Sequence, residues 1–547
     1  MSVPATFSDP AFESRNLSKE DFRLAYEEGH DADLRSTSGP DVTHEKRSFN
    51  ADLEKGDHPS TATSEAPTVV EDETSEPKDP NIVWWDEPAD QDPANPMNWS
   101  SGKKWGNIAV LSAITFVTPL ASSMFAPGVP AVMQDFRTDN TMLATFVVSV
   151  YILGFALGPL VVAPMSEMYG RLPLYLITNV LFVVFTIACA VSNSMSMLIG
   201  FRFLAGCVGS APMTIGAGTI ADIMPATQRA RAMAFWAMGP LLGPVVGPVA
   251  GGFLVDAKGW RWVFWLIAII AGATTAASFV LLRETYAPVL LDRKAARLRK
   301  ETGNPDLKSK LHSGLPPKEL FARSIVRPTK MLFLSPIVSL LSVYMSIAYG
   351  ILYLLFTTFT FVFEQQYRFS SGEVGLTYIA SGIGMILGLA VVGSISDRII
   401  KQHTAKGEQH KPELRIPIFL TVPAGLSLAL GLFLYGWTAE KQVQWAVPLL
   451  GTLFVGLGLM AIFMCIQTYL VDAFTVHAAS AMAANTVLRS LFGALLPLCG
   501  LDMYEVLGLG WGNSLLGFVA LAMVPIPALF RMYGERIRTS PRFQVKF

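Results

Sequence analysis

Charge is scarce in this chain, and cysteine is nearly absent. Asp, Glu, Lys and Arg make up 16% of its 547 residues, hydrophobic types make up 51%, and the mean hydropathy is +0.41. That balance excludes an ordinary soluble protein of this length. The 4 cysteines, Cys189, Cys207, Cys465 and Cys499, each sit in an apolar run without paired spacing. They exclude a disulfide or zinc framework and read as small core residues, so no metal site is expected. No G-x-x-x-x-G-K-[ST] occurs, which leaves ATP without a phosphate-binding loop. No nucleophile–base constellation occurs either, so the chain is not expected to be an enzyme. An N-terminus that stays polar for about a hundred residues argues against a cleavable signal peptide. The first apolar span is then expected to act as an uncleaved membrane signal.

The net charge of −1 hides a division, because more than half of the 43 acidic residues precede residue 101. Residues 1–94 are rich in Ser, Thr, Pro, Asp and Glu and are expected to be a disordered acidic tail, suited to phosphorylation and turnover signals. Trp84 and Trp85, near its end, are candidates for docking on the membrane interface or the helix bundle; chance placement is the alternative. Beyond the tail lie about twelve apolar spans of roughly 20 residues each. They fall at approximately 105–126, 141–163, 173–193, 197–221, 232–254, 261–282, 336–362, 373–395, 415–436, 446–470, 480–501 and 512–531. The predicted class is an all-α membrane protein with 12 transmembrane helices in two six-helix bundles. The bundles are 95–282 and 336–531, joined by a basic linker at 283–335 and followed by a short tail at 532–547.

Loop charge predicts orientation. With the N-terminus in the cytosol, outside loops hold Arg137, Lys258, Arg261, Arg368 and Lys441. Inside loops hold Arg171, Arg229, Arg231, the dense set from Arg283 to Lys330, Arg398 to Arg415, and Arg531 to Lys546. Both termini are expected in the cytosol, so the sequons at Asn16 and Asn98 should stay unglycosylated. The linker suits an anionic leaflet and is predicted to hold an amphipathic helix near Leu291–Glu301.

The most unusual stretch is Gly239-Pro-Leu-Leu-Gly-Pro-Val-Val-Gly-Pro-Val-Ala-Gly-Gly252. Glycines 239, 243, 247 and 251 drift along one helical face and permit close helix approach. Prolines 240, 244 and 248 remove backbone donors. Two readings stand: a tight, kinked crossing, or a hinge that packs and flexes against a helix of the opposite half. The two halves also echo each other. Ala163-Pro-Met-Ser-Glu167-Met-Tyr-Gly170-Arg171 follows span 2, and Gly393-Ser-Ile-Ser-Asp397-Arg398-Ile-Ile-Lys401 follows span 8. Internal repeats of this kind are common in secondary transporters.

These residues resemble the major facilitator superfamily, specifically its fungal twelve-span drug:proton antiporters, over nearly all the chain after about residue 95. Asn95-Pro-Met-Asn-Trp99 is similar to the entry motif of that fungal group. The loop after span 2 resembles G-x-x-x-D-R-x-G-R through Glu167, Gly170 and Arg171, with Ala163 and Met168 departing from the pattern. Arg202-Phe-Leu-Ala-Gly206 resembles R-x-x-x-G, and Gly243, Gly247, Pro248, Gly251 and Gly252 resemble the antiporter motif. Glu284-Thr-Tyr-Ala-Pro288 follows span 6 as in fungal relatives. The resemblance implies proton-coupled efflux of hydrophobic or amphiphilic drugs, toxins or secondary metabolites by alternating access across the plasma membrane. It implies a proton gradient in place of a cofactor. The expected partners are small substrates, protons and the bilayer, without nucleic acid, and the expected working unit is a monomer.

Several polar residues lie in apolar surroundings. Arg202 should face the bundle interior, either tuning a protonation or substrate step or anchoring helices by hydrogen bonds. Arg171 is expected to pair with Asp222, with Glu167 near the start of span 11 at Ala478–Ala481, joining the halves in an outward-open state that opening inward would break. Asp397 and Arg398 are the candidates for the same bend in the second half. Tyr349, Tyr353, Thr357, Thr360 and Glu364 fall on one face of span 7 and suit either an aromatic substrate or ordinary packing. Gln467, Asn485 and Arg489 are expected to line the central cavity or bond across helices. Proton carriers come from Glu364, Asp222 and Asp472, with Arg202 as modulator, since span 1 carries no carboxylate. A nutrient or polyamine carrier of the same fold, or a receptor that has lost transport, are the alternatives. Scarce carboxylates in the spans weigh against the first, and Arg202 with the Gly-Pro stretch against the second.

Overall fold

The computed structural model describes residues 81–89, 91–311, 317–405, 411–474 and 477–540, with some side chains inside helices left out. Residues 1–80, with Asn16 and most of the tail expected to lack structure, lie outside the described residues. The first half holds α1 (Ser101–Ser123), α2 (Val129–Asp135), α3 (Thr141–Tyr169), α4 (Arg171–Ala190), α5 (Met195–Gly209), α6 (Ala211–Ile223), α7 (Ala226–Lys258) and α8 (Arg261–Leu281). The linker holds α9 (Ala287–Thr302) and α10 (Pro317–Leu334). The second half holds α11 (Pro336–Tyr367), α12 (Ser371–Ala405), α13 (Ile418–Glu440), α14 (Ala446–Ala473), α15 (Ala478–Leu495), α16 (Gly500–Met523) and α17 (Pro525–Thr539).

By length and composition, 11 segments among the described residues could cross a membrane. The last, Ala478–Thr539, is 62 residues long and contains α15, α16 and α17, which supplies the twelfth passage. The chain turns there at Leu496–Cys499 and again inside α16, where Gly508 takes φ 75 and ψ 168. Glu440 accepts the Gly510 N–H at 2.6 Å, capping the helix that restarts after this break. The expected span 512–531 is therefore corrected. Its helix ends at Met523, and α17 is a separate helix tied to the loop before α13 by Lys411–Glu535 (2.9 Å) and Arg538–Glu413 (3.3 Å).

The same packing scheme appears twice. In the first half α1 packs on α7, α3 on α5, and α4 on α8. In the second α11 packs on α15, α12 on α14, and α13 on α16. Glycines permit equivalent close crossings. A methyl added to Gly154 or Gly158 would meet backbone of Gly206 or Cys207, and one added to Gly384 or Gly388 would meet backbone of Leu453 or Leu457. Such G-x-x-x-G crossings gain dispersion contacts that apolar lipid cannot replace. Across the halves, α7 packs on α12 and α3 on α15.

The segment before α1 is ordered, contrary to the expectation for residues up to 94. Ile82–Val83 (β1) pairs in parallel with Lys308–Ser309 (β2) of the linker. Lys294 of α9 donates to the Trp84 carbonyl at 2.9 Å and to Asp86 at 2.7 Å. Trp85 is buried, and Val83 packs with Ala295 and Leu307. Lys310 of the linker lies 4.9 Å from the Trp84 ring, so Trp84 docks on the linker. A second linker helix, α10, was not anticipated; Met331 near its end is buried where α10 meets α3, α11 and α15.

Candidate transport pathway and gates

Two similar polar latches close the loops on the face that carries the ends of the described chain, Asn81 and Ser540. Arg171 starts α4, and its Nε lies 3.4 Å from Asp222 Oδ2 at the end of α6. Its Nη1 donates to Ser166 Oγ at 2.6 Å, and its guanidinium lies 4.5 Å from the Tyr286 ring. In the second half Arg415 Nε lies 2.7 Å from Asp472 Oδ2, and Arg415 Nη1 donates to Ser396 Oγ at 3.4 Å. Ser166 and Ser396 are the serines of the two echoing Ser-acid motifs. The acids of those motifs behave otherwise. Glu167 is exposed and, among the described residues, makes no hydrogen bond or ion pair, so it does not cap the N–H groups at Ala478–Ala481 in this structure. Arg398 is exposed, and the Asp397 side chain lies outside the described residues.

Glu284 is the group that sequence reasoning undervalued. Its carboxylate accepts the N–H groups of Arg171 (2.9 Å), Leu172 (3.2 Å), Thr285 and Tyr286 (3.0 Å each). It therefore caps the N-terminus of α4, where unsatisfied donors and the helix dipole favour an anion. Gly170, just before, takes φ 100 and ψ 170, a region essentially reserved for glycine. Gly170→Ala should cost about 1–3 kcal/mol in strain and push Glu284 off its cap. Glu284→Ala should lose the cap alone. Thermal melts of the detergent-solubilised protein should rank Gly170→Ala as the less stable; equal melts would show that strain at this turn contributes nothing.

Arg202 is almost fully buried, at 2% exposure, entirely within the first half. Its Nε donates to the Val147 carbonyl at 2.5 Å, and its Nη2 to the carbonyls of Ser122 (3.1 Å) and Val148 (3.4 Å). The rings of Phe125, Tyr151 and Phe264 enclose the guanidinium at 5.0 to 5.8 Å. The void beside it measures about 10 Å³, room for one water at most and not for a substrate.

The Gly-Pro stretch serves both readings, but unequally. Added methyls at Gly239, Gly243 and Gly247 would fall 3.0, 2.9 and 2.5 Å from atoms of α1, and one at Gly251 would overlap the Met124 carbonyl. Those four glycines therefore pack α7 against α1 of the same half, correcting the expected contact with the opposite half. Gly252 faces the other way, against the Ser371 carbonyl of α12. Gly375 of α12 meets the Pro248 carbonyl in return.

Hydrogen bonds join the halves along one face. Ser122 Oγ and Tyr353 Oη share one at 3.2 Å, Thr360 donates to the Ala126 carbonyl (3.2 Å), the Gly372 N–H donates to Asp256 (2.8 Å), and Thr141 reaches Asp502 (3.5 Å). All lie toward the face opposite the chain ends, so that face is sealed. Tyr353 and Thr360 of the span 7 stripe thus act in packing across this seam, while Thr357 bonds back to its own helix at the Leu354 carbonyl. Glu364, half-buried near the same face, has no hydrogen bond or ion pair among the described residues; Asp256 of the other half is its charged neighbour. Below the seal, the Tyr349 ring lies tilted at 5.0 Å from that of Tyr353, and Arg489 lies 4.8 Å from the Tyr349 ring. Asn485 is fully buried one turn away, and Gln467 is half-buried on α14.

The sequence profile of the Major Facilitator Superfamily matches residues 111–497. The chain belongs to this superfamily. As a major facilitator it is a multi-pass membrane transporter and not an enzyme. It is 56% identical over 517 residues to the efflux pump radE of Floropilus chiversii, covering 94% of this chain and 95% of that one. It is 58% identical over 470 residues to the MFS-type transporter penM of Penicillium rubens, covering 86% and 92%. The MFS-type transporter atr4 of Stereocaulon alpinum is 47% identical over 555 residues, covering 99% and 100%. Among solved structures, a D-xylose-proton symporter superposes with a TM-score of 0.59 at 16% identity, covering 78% of this facilitator and 97% of that chain. That similarity speaks for the fold alone.

Proposed function

We propose that this transporter exports hydrophobic or amphiphilic small molecules from a fungal cell across the plasma membrane, driven by protons, with both termini in the cytosol. The observation that carries the direction of transport is the end-to-end similarity to a protein named as an efflux pump. The basic loops on the face that carries the chain ends support the orientation. The seal on the opposite face supports a state open to the cytosol within an alternating-access cycle. For the proton we assign Glu364, because Asp222 and Asp472 are each held by an arginine of their own half. Glu364 instead sits where the halves part, and its surroundings change between wet and dry as they do so.

Overproduction should lower cellular accumulation of some members of a panel of unrelated toxic amphiphiles, and deletion should raise it. A protonophore should abolish the difference, and Glu364→Gln should behave like the protonophore. Unchanged accumulation of every compound would sink the efflux reading. Full activity of Glu364→Gln would move the proton elsewhere.

A further inference from the structure

Among the described residues Arg489 has no counter-ion. It lies on α15 at 8% exposure, sandwiched between the faces of Tyr349 (4.8 Å) and Phe463 (5.2 Å). Its Nε is buried without a hydrogen-bond partner. Asn485, four residues earlier on the same helical face, is at 0% exposure, and both its Oδ1 and its Nδ2 lack partners. The helices packed against α15 include α3, α10, α11 and α14. Their acids, Glu167, Glu319, Glu364 and Asp472, all sit near helix ends, and Asp472 is already paired with Arg415. A guanidinium stays charged at any physiological pH. A buried charge without a partner is strongly unfavourable, and no described acid on these helices supplies one, so the position suits an anion from outside the chain.

We propose that Arg489 and Asn485 form a binding site for an aromatic acid carried as its carboxylate or phenolate. The anion pairs with the guanidinium, whose planar fork matches a carboxylate. The ligand ring lies against Tyr349 and Phe463. The Asn485 amide offers a donor and an acceptor to a neighbouring hydroxyl or carbonyl of the ligand. The inference names the substrate class of the exporter and rests on that reading, but its test needs binding alone and no transport.

The probes are 2-naphthoate and its uncharged methyl ester, titrated by fluorescence into the full chain in nanodiscs, in chloride-free buffer. Wild type should bind the acid at least about tenfold more tightly than the ester, as expected for a hydrogen bond to a buried charge. Arg489→Gln should remove the preference while leaving ester affinity within about threefold. Asn485→Asp should do the same by a different route, giving Arg489 an internal carboxylate and keeping the buried charge balanced. It therefore answers the question even if Arg489→Gln fails to fold. Equal affinity for both probes in wild type, binding of neither, or a preference that survives in Asn485→Asp overturns the proposal. So does a preference abolished by chloride at millimolar concentration, which would assign the site to an inorganic anion. Acid preference in wild type without any efflux would sink the transport reading and leave this site standing, whereas efflux without acid preference would sink this proposal alone.

Discussion

Gly252→Val should give a folded, abundant protein that does not transport, whereas Gly251→Val, one residue earlier, should give little folded protein at all. The two glycines point in different directions because successive helical residues are about 100° apart. Gly251 faces α1, its partner within the same half, and any β-carbon there would overlap the Met124 carbonyl. That contact exists in every state of the cycle, so overpacking it costs the fold about 1–3 kcal/mol or more. Gly252 faces the Ser371 carbonyl of α12 across the seam. A side chain there is in the way only when the face opposite the chain ends is shut. It also pries Asp256 from the Gly372 N–H at the N-terminus of α12, where the bond is 2.8 Å long and aligned with the helix dipole. The closed state alone is penalised, and a penalty of about 3 kcal/mol shifts a two-state population by more than a hundredfold. A cysteine replacing Thr360, whose hydroxyl bonds the Ala126 carbonyl across the seam, reports the outcome. A membrane-impermeant thiol reagent should label it in the Gly252→Val background and not with glycine in place. Normal transport by Gly252→Val, or normal stability of Gly251→Val, would end this account.

The contrast between these neighbours shows what the sequence carries and what it does not. The spacing of glycines 239 to 251 revealed a face made for close approach, since spacing is a local property of a helix. Which helix comes close is a tertiary fact, and the expected partner in the opposite half is supplied by Gly252 alone among the consecutive pair. Spans were legible because bilayer thickness acts on each segment separately. The end of the last span was not, because α17 continues an apolar run into an amphipathic helix with no polar gap at Met523. The docking of residues 81–94 was also hidden, since a strand of two residues leaves no periodic signal. Arg415 could not be read from the Ser-acid echo, because the register that aligns Ser166 with Ser396 sets Lys401, and not Arg415, opposite Arg171. Glu284 could not be placed from sequence, because its bond to the Arg171 N–H beside the turn at Gly170 spans 113 residues.

Arg202→Ala should lower the abundance and melting temperature of the protein, with transport falling because little protein remains. A sequence reading of a buried intramembrane arginine expects the opposite: normal abundance and lost transport. The geometry decides between them. The guanidinium fills space among three aromatic rings, and its truncation leaves a cavity worth about 3–5 kcal/mol, as for other large buried side chains. It also bonds the Ser122 carbonyl near the end of α1, where carbonyls lack helical partners and a cation is favoured. Leaving that group bare adds about 1–3 kcal/mol. The Ser122 hydroxyl holds Tyr353 across the seam, so one residue links the anchor to the gate. Arg202→Lys tests that link. Lysine keeps the charge but not the planar fork that spans the Val147 and Ser122 carbonyls. It should recover part of the melting temperature, yet leave the seal looser, so that the Thr360→Cys reporter labels faster than in wild type. If Arg202→Ala instead accumulates and melts like wild type while transport vanishes, the guanidinium acts on the moving proton or substrate, and the anchor described here is incidental to it.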